Sequence, residues 1–162
     1  MKYVLSLGSN LGNRGKFVDN AIEFLSRTGN LTARSSLYET SPVGMKADTR
    51  SFYNCIVILE SDIKPEEMLK KIKQFEKSVG RGPANSHMKP RQIDIDILFV
   101  DELITNSSSL TIPHPEIENR KFILEPLHQI LPDIIHPVSG KTTKELLEEL
   151  NSNENIRLIK TS

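Results

Sequence analysis

Apolar or β-branched runs of strand length alternate with apolar stripes at helical spacing through the first 100 residues. They predict six elements in the order strand, helix, strand, strand, helix, strand, at residues 3–7, 14–27, 31–40, 52–60, 65–79 and 93–100. This is the order of the ferredoxin-like βαββαβ arrangement, an α+β fold in which an antiparallel sheet carries both helices on one face. The other face of the sheet is expected to stay open.

Shorter elements follow after residue 100. Two short apolar pieces lie at 103–104 and 110–112, and a helix-like stretch lies at 120–130. A final helix is predicted at 142–150, and the run at 156–159 is compatible with one more strand. We find no repeat, low-complexity tract or linker in the sequence. A single domain over residues 1–162 is therefore expected, with the last elements added to the ferredoxin-like core.

Two aspartates interrupt the most strongly β-branched run of the chain. Asp94 and Asp96 alternate with Ile93, Ile95 and Ile97, so in a strand both carboxylates share one face and the isoleucines fill the other. The two Cα atoms would lie roughly 6.5–7 Å apart, from where the carboxylates could reach a common pair of magnesium ions about 3.5–4 Å apart. The alternative is a half-buried edge strand with a solvated acidic face.

Phosphate-binding side chains flank this strand in sequence. Arg81, Arg91, His114 and Arg120 can each donate to a phosphate, the arginines bidentately. Each arginine taken singly could be an ordinary surface charge, and His114, between two prolines, could be structural. Fixed cations around metal-holding carboxylates are nevertheless what phosphoryl-type transfer needs.

A third group of residues could hold a flat heterocycle. Phe52 and Asn54 share a strand face, so a ring stacked on the phenyl group could present its polar edge to the amide. Phe122 is available for the opposite side of such a sandwich. The alternative is that both phenylalanines belong to the core, although a covered Asn54 would still need a partner.

Composition narrows the function classes. Lysine plus arginine and aspartate plus glutamate number 21 each, so no global field favours nucleic acid or an anionic membrane. The single cysteine, Cys55, excludes an internal disulfide and fits a reducing compartment, so we expect a cytoplasmic protein. No apolar run approaches 18 residues, and no P-loop motif occurs. The glycine-containing segment 7–14 lacks the dinucleotide-binding spacing and is expected to be structural.

Several motifs together resemble those of the 6-hydroxymethyl-7,8-dihydropterin pyrophosphokinase family of folate biosynthesis. They are Leu-Gly-Ser-Asn-Leu-Gly at 7–12, Tyr-Glu-Thr-Ser-Pro-Val-Gly at 38–44, Phe-Tyr-Asn at 52–54, Pro-Arg-Gln-Ile-Asp-Ile-Asp-Ile at 90–97, Ile-Pro-His-Pro at 112–115 and Asn-Arg-Lys-Phe at 119–122. The resemblance implies a ferredoxin-like fold and transfer of the β,γ-pyrophosphoryl group of ATP to the pterin's hydroxymethyl oxygen, with AMP as the other product. Two Mg²⁺ ions per site are implied as cofactors.

The same resemblance implies a role for each matching position. Catalytic roles fall on Asp94, Asp96, Arg91 and Arg81, of which Asp94 and Asp96 would bind the metals. ATP would contact Lys73, Glu76, Arg81, Arg91, Ile97, His114 and Arg120. The pterin would contact Thr40, Val43, Phe52, Asn54 and Phe122.

The segment before the aspartates departs from the family pattern. It contains Pro83 where many relatives have an arginine, and Met88-Lys89 where a tryptophan-glycine pair is usual. We therefore expect the same reaction with altered nucleotide affinity or lid closure. ATP and the pterin are the expected partners of a monomer that binds neither nucleic acid nor a membrane.

Two other classes remain open at this point. One is a non-catalytic ferredoxin-like module that senses a metabolite or binds a partner through its open sheet face. The other is a two-metal nucleotidyl-transfer enzyme that acts on nucleic acid, which the balanced charge disfavours.

Overall fold

The computed structural model describes residues 1–40, 51–79 and 92–160. In chain order the elements are β1 (Lys2–Ser9), α1 (Arg14–Ser26), β2 (Asn30–Arg34), β3 (Leu37–Thr40), β4 (Phe52–Glu60), α2 (Pro65–Ser78), β5 (Asp94–Val100), β6 (Thr105–Asn106), β7 (Thr111–Ile112), a short 3-10 helix (Ile117–Asn119), α3 (Lys121–Ile130), α4 (Thr143–Glu149) and β8 (Ile156–Lys160). Among these helices, none combines the length and the apolar character needed to cross a bilayer.

The main sheet is antiparallel in every pairing of the described strands. Its order is β5-β1-β4-β3-β8, and β2 pairs with the other half of β4. Strands β6 and β7 form a separate two-stranded sheet. The molecule is thus a mixed structure in which helices pack on an antiparallel sheet.

One face of the sheet carries α1 and α2, as predicted. Odd-numbered residues of β1 and β4, such as Leu5 and Val57, are buried together with the apolar stripes of both helices. Phe24 of α1 and Phe75 of α2 stack with ring centroids 4.4 Å apart. The two helices therefore pack against each other as well as against the sheet.

The prediction of an open second face is wrong. Val4, Ile56 and Leu98 project from this face and are buried in a cluster with residues of α3 and α4, among them Leu124 and Leu146. Apolar side chains on three neighbouring strands need a covering layer, and the C-terminal helices supply it. An extended open sheet face, which the sensing alternative required, is absent from this part of the described chain.

Two strand boundaries also differ from the prediction. β1 continues through Gly8 to Ser9, because Gly8 pairs with residues of both β4 and β5. The expected strand 31–40 is split into β2 and β3 at Ser35, whose backbone N–H donates to Ile56 O and whose hydroxyl accepts from Ile56 N–H, both at 2.8 Å. The hydroxyl replaces a ladder partner and lets the strand bend.

Candidate active site

The aspartate pair lies on the face of β5 that points away from α1 and α2. Asp94 pairs with Gly8 of β1, and Asp96 pairs with Ser6. Ile95 and Ile97 point the other way and are at most 4% exposed, whereas the Asp96 side chain is 40% exposed. The predicted division of faces is confirmed, and the carboxylates stand where a ligand can reach them.

Glu76, which was expected to contact ATP, is buried beside β5. Its side chain is 1% exposed, and its Oε2 accepts a hydrogen bond of 2.9 Å from the backbone N–H of Ile95. Lys73, predicted to bind ATP as well, is largely exposed and lies 3.8 Å from Glu76 Oε1. The buried Glu76 carboxylate therefore holds the backbone of β5 between the two aspartates, and its contact with ATP stays a prediction.

Ile97 was likewise expected near ATP, and its side chain is a member of the core under α1 and α2. Any nucleotide contact must therefore come from its backbone. The backbone N–H of Ile95 points to the outer edge of β5, toward Glu76. Since backbone groups alternate along an antiparallel strand, those of Ile97 face the same edge.

A bulge in β5 brings His114 beside the aspartates. Leu5 pairs with Ile97 and Val4 with Phe99, so Leu98 is the extra residue, and its carbonyl accepts from the backbone N–H of His114 at 2.9 Å. The imidazole Nε2 then lies 4.0 Å from Asp96 Oδ1. His114, whose contact with ATP phosphates stays a prediction, thus lies beside Asp96.

The charge state of His114 follows from its surroundings. Burial lowers the pKa of its imidazole below the ordinary value of 6.5, although the negative charges of Glu116 and Asp94 act in the opposite direction. Nδ1 accepts from the backbone N–H of Glu116 at 3.1 Å, which places the proton of the neutral ring on Nε2. At neutral pH His114 is thus a neutral N–H donor on the aspartate side.

The predicted pterin-binding residues of β3 and β4 form a buried pair. Asn54 and Thr40 are each 3% exposed, and Asn54 Nδ2 donates to Thr40 Oγ1 at 2.8 Å. Within the described residues the Oδ1 atom of the same amide accepts no hydrogen bond. Thr40 therefore satisfies one end of the amide, and the other end is available as an acceptor.

Gly8 separates this pair from the aspartates. It is the register partner of Asn54 on one side and of Asp94 on the other, so the three residues form a row across three strands on the same face. The Cα atoms of Asp94 and Asn54 are consequently about 10 Å apart. A Cβ at Gly8 would stand 2.8 Å from Asn54 Oδ1 and 3.7 Å from Phe52 Cδ1. The absence of a side chain at Gly8 leaves the space that Asn54 Oδ1 occupies, between Thr40 and the aspartates.

Arg120 and Phe122 lie at the start of α3 on this side of the sheet. The Arg120 guanidinium carbon is 4.4 Å from the centroid of the Phe122 ring. Phe122 is partly buried against the cluster that contains Ile56, and Phe52 projects from the same face of β4 as Ile56. Both phenylalanines of the predicted sandwich are therefore on one side of the sheet.

Sequence reasoning missed two residues of this region. Gly8 was assigned to a structural loop, although its place one strand away from Asn54 could not be known before β1 was paired. Glu154 was not considered; its Oε1 accepts from Arg120 Nε at 3.1 Å. Glu154 belongs to none of the motifs named above, whereas Gly8 belongs to the motif at 7–12, which indicated the family but not the role of this glycine. The predictions for Val43, Arg81 and Arg91, and the departures at Pro83, Met88 and Lys89, lie outside the described residues.

A match to a known family agrees with these positions. The family model for 7,8-dihydro-6-hydroxymethylpterin-pyrophosphokinase covers residues 4–132. The chain belongs to this family. A 2-amino-4-hydroxy-6-hydroxymethyldihydropteridine pyrophosphokinase from Aquifex aeolicus is 37% identical over 145 residues, which are 90% of this chain and 89% of that enzyme.

Other relatives of this pyrophosphokinase family member are longer proteins. A folic acid synthesis protein from Pneumocystis carinii is 42% identical over 147 residues, or 90% of this chain and 20% of that protein. The crystal structure of wild-type Plasmodium falciparum HPPK-DHPS with pteroate superposes with a TM-score of 0.73 at 19% identity, covering 91% of this chain and 42% of that one. At this identity the likeness concerns the fold. The chain thus spans about a fifth of the fungal relative and under half of the Plasmodium protein.

Proposed function

We propose that the chain transfers the β,γ-pyrophosphoryl group of ATP to the hydroxymethyl oxygen of 6-hydroxymethyl-7,8-dihydropterin, giving AMP and the pterin diphosphate in folate biosynthesis. The observation that carries this proposal is the row Asp94–Gly8–Asn54. It places a carboxylate and an amide suited to a heterocycle on the two strands that flank β1. We further propose that the sheet order β5-β1-β4-β3 represents the ferredoxin-like topology, and that residues 1–162 act as one pyrophosphokinase domain.

The donor set at the acidic end fits a magnesium site. Within residues 1–40, 51–79 and 92–160 there is no cluster of three or more His, Cys, Asp or Glu side chains of metal-binding type. Mg²⁺ bound to a nucleotide needs few protein ligands, because one or two carboxylates act together with phosphate oxygens and water. Asp94 and Asp96 would hold two such ions. When bound, the metal would neutralise phosphate charge and make the attacking hydroxyl more acidic.

The chain's own residues would position the two substrates. Nε2–H of His114 points to the side of Asp96 and can donate to a phosphate oxygen, while the terminal nitrogens of Arg120 can bind a phosphate bidentately. Lys73 adds an exposed positive charge near the outer edge of β5, where the backbone of Ile97 can meet the nucleotide. The predicted roles of Arg81 and Arg91 on the phosphates belong to the same proposal.

Pterin binding would use the other end of the row. Asn54 Oδ1 can accept from the ring's N–H groups, and Thr40 holds the amide in that orientation. Phe52 and Phe122 would stack on the two ring faces, with Val43 near the polar edge. Gly8 contributes no side chain between Asn54 and Asp94, where the hydroxymethyl arm would meet the phosphates.

In the transfer step the hydroxymethyl oxygen forms a bond to Pβ. The bond between Pβ and the oxygen that bridges to Pα breaks, and AMP leaves with that oxygen. The hydroxyl proton passes to solvent. Rate would come mainly from in-line alignment of the two substrates, because holding reacting atoms within contact distance lowers the barrier by several kcal/mol.

The test measures AMP release from Mg²⁺-ATP with and without the hydroxymethyl dihydropterin. We expect pterin-dependent AMP formation that falls at least about 100-fold in Asp96→Ala, because the variant loses a charge worth several kcal/mol to the transition state. Asp62→Ala is the control, since Asp62 is an exposed carboxylate beyond the distal end of β4. AMP formation that does not depend on the pterin, or full activity of a folded Asp96→Ala, would reject the proposal.

A further inference from the structure

The last strand returns the chain to the candidate site. β8 pairs antiparallel with β3, and Ile156 is the register partner of Thr40. The residues just before β8 therefore lie near the pterin-binding end of the sheet. This segment follows the stretch covered by the family model, which ends at residue 132.

Glu154 reaches from this segment to the start of α3. Its side chain is 6% exposed, and its Oε1 accepts from Arg120 Nε at 3.1 Å and from the backbone N–H of Lys121 at 3.2 Å. Its Oε2 accepts from the backbone N–H of Phe122 at 3.4 Å. A buried carboxylate is tolerated when charge and hydrogen bonds compensate it, and here both are present.

These contacts replace a cap that the helix lacks. Arg120 occupies the N-cap position of α3 and its side chain makes no capping hydrogen bond. The exposed amide groups at a helix start attract a negative charge, which Glu154 supplies from more than 30 residues away in sequence. Glu154 thus holds the backbone of Lys121 and Phe122 in the first turn of α3.

The same carboxylate also orients a side chain assigned to ATP. It binds Arg120 through Nε, the side nitrogen of the guanidinium, so a phosphate can still approach the two terminal nitrogens. In the described residues those terminal nitrogens make no hydrogen bond, and the guanidinium lies over the Phe122 ring. One carboxylate therefore determines the position of the phosphate-binding arginine and of the ring that would stack on the pterin.

We propose that Glu154 is a positioning residue for the pyrophosphoryl transfer, which sets Arg120 and Phe122 in a fixed mutual geometry. This inference rests on the proposed function, because it assigns Arg120 to ATP and Phe122 to the pterin.

A second contact fastens the same C-terminal segment, since Arg157 of β8 forms an ion pair with Glu39 of β3. Glu39 in turn accepts from Ser51 Oγ at 2.8 Å. The C-terminal segment is thus held both at the start of α3 and at the residue next to Thr40.

The experiment compares Glu154→Ala and Glu154→Gln in the full chain. Alanine removes both the ion pair and the cap, and we expect kcat/KM to fall about 10- to 100-fold, because small displacements of positioning groups have effects of this size. Glutamine keeps an oxygen acceptor for the helix amides but loses the charge that holds Arg120. It should therefore restore the KM for the pterin and leave the KM for ATP raised.

Glu149→Gln is the matched control. Glu149 forms an exposed ion pair with Lys141 at 2.6 Å at the end of α4, and within the described residues it forms no hydrogen bond or ion pair with Arg120, Lys121 or Phe122. Its kinetic constants should stay within twofold of the wild type. If Glu154→Ala lowers thermal stability but keeps kcat and both KM values per folded molecule within twofold, Glu154 is merely structural and the proposal is overturned.

A ligand-free readout separates this inference from the proposed function. Hydrogen exchange of the Lys121 and Phe122 amides, followed by NMR, should be faster in Glu154→Ala than in the wild type. Unchanged exchange would overturn the positioning role whatever the enzyme does. If instead the wild type forms no AMP in the presence of the pterin while these amides do exchange faster, the proposed function fails and the Glu154 contacts stand.

Discussion

Gly8→Ala tests the close approach of the Asn54 amide to Gly8, between the two ends of the candidate site. The new Cβ would lie 2.8 Å from Asn54 Oδ1, whereas ordinary contacts begin at 3.4 Å. The amide would have to move by about 0.6 Å in a well-packed surrounding. That movement strains its 2.8 Å hydrogen bond to Thr40 Oγ1.

The expected losses of stability and of pterin affinity follow from these contacts. Weakening one buried hydrogen bond costs about 0.5–1.5 kcal/mol, and forcing a methyl group into a packed site adds about 1–3 kcal/mol. If the displaced amide no longer meets the pterin's polar edge, the pterin Kd should rise about 10- to 100-fold, at 1.4 kcal/mol for each tenfold. The nearest atoms to the new Cβ belong to β4, and the third of them, the Tyr53 carbonyl oxygen, is already 3.9 Å away, so Asp94 is not crowded and ATP binding should change less than twofold.

The assay is isothermal titration of the pterin in the presence of magnesium and an ATP analogue with a methylene bridge between Pα and Pβ, which blocks transfer. Gly15→Ala is the control, because a Cβ at Gly15 meets nothing within 4 Å. Gly15 lies in α1, where alanine should stabilise the fold by about 0.4–1 kcal/mol. Wild-type pterin affinity in a folded Gly8→Ala variant would refute the role assigned to the Asn54 amide in pterin binding.

Two further predictions concern residues around the aspartate strand. Glu76→Ala should lower the free energy of unfolding in urea by about 1–3 kcal/mol, because it leaves the buried N–H of Ile95 without this acceptor. Glu76→Gln keeps an acceptor and should lose less; an equal loss in both variants would contradict the assigned hydrogen bond. The lowered pKa of His114 means that the unfolded chain binds a proton more readily, so stability should decline as pH falls from 6.5 toward that lowered pKa. His114→Gln should weaken this decline in urea titrations at a series of pH values, and an unchanged pH dependence would show that burial of His114 does not cause it.

Patterns within a strand or helix predicted the local structure well. The alternation of Asp94 and Asp96 with isoleucines correctly indicated which side chains share a face, because adjacent side chains of a strand must point in opposite directions. The limits of β4 and the start of α2 at Pro65 were also found from sequence. The error about the second sheet face arose because three separate strands each contribute an apolar residue to it, and their adjacency depends on strand pairing.

The amino-acid order by itself determined the elements, the two faces of β5 and the family motifs, since these depend on neighbours in the chain. Tertiary structure decided which distant residues meet. It placed Gly8 between Asp94 and Asn54, brought Glu76 behind Ile95, and carried Glu154 to the start of α3. Such contacts depend on strand register and on the packing of α2, α3 and β8. The spacing of residues within one strand or helix does not predict these contacts, because each partner fits its own strand or helix whether or not the other partner is near.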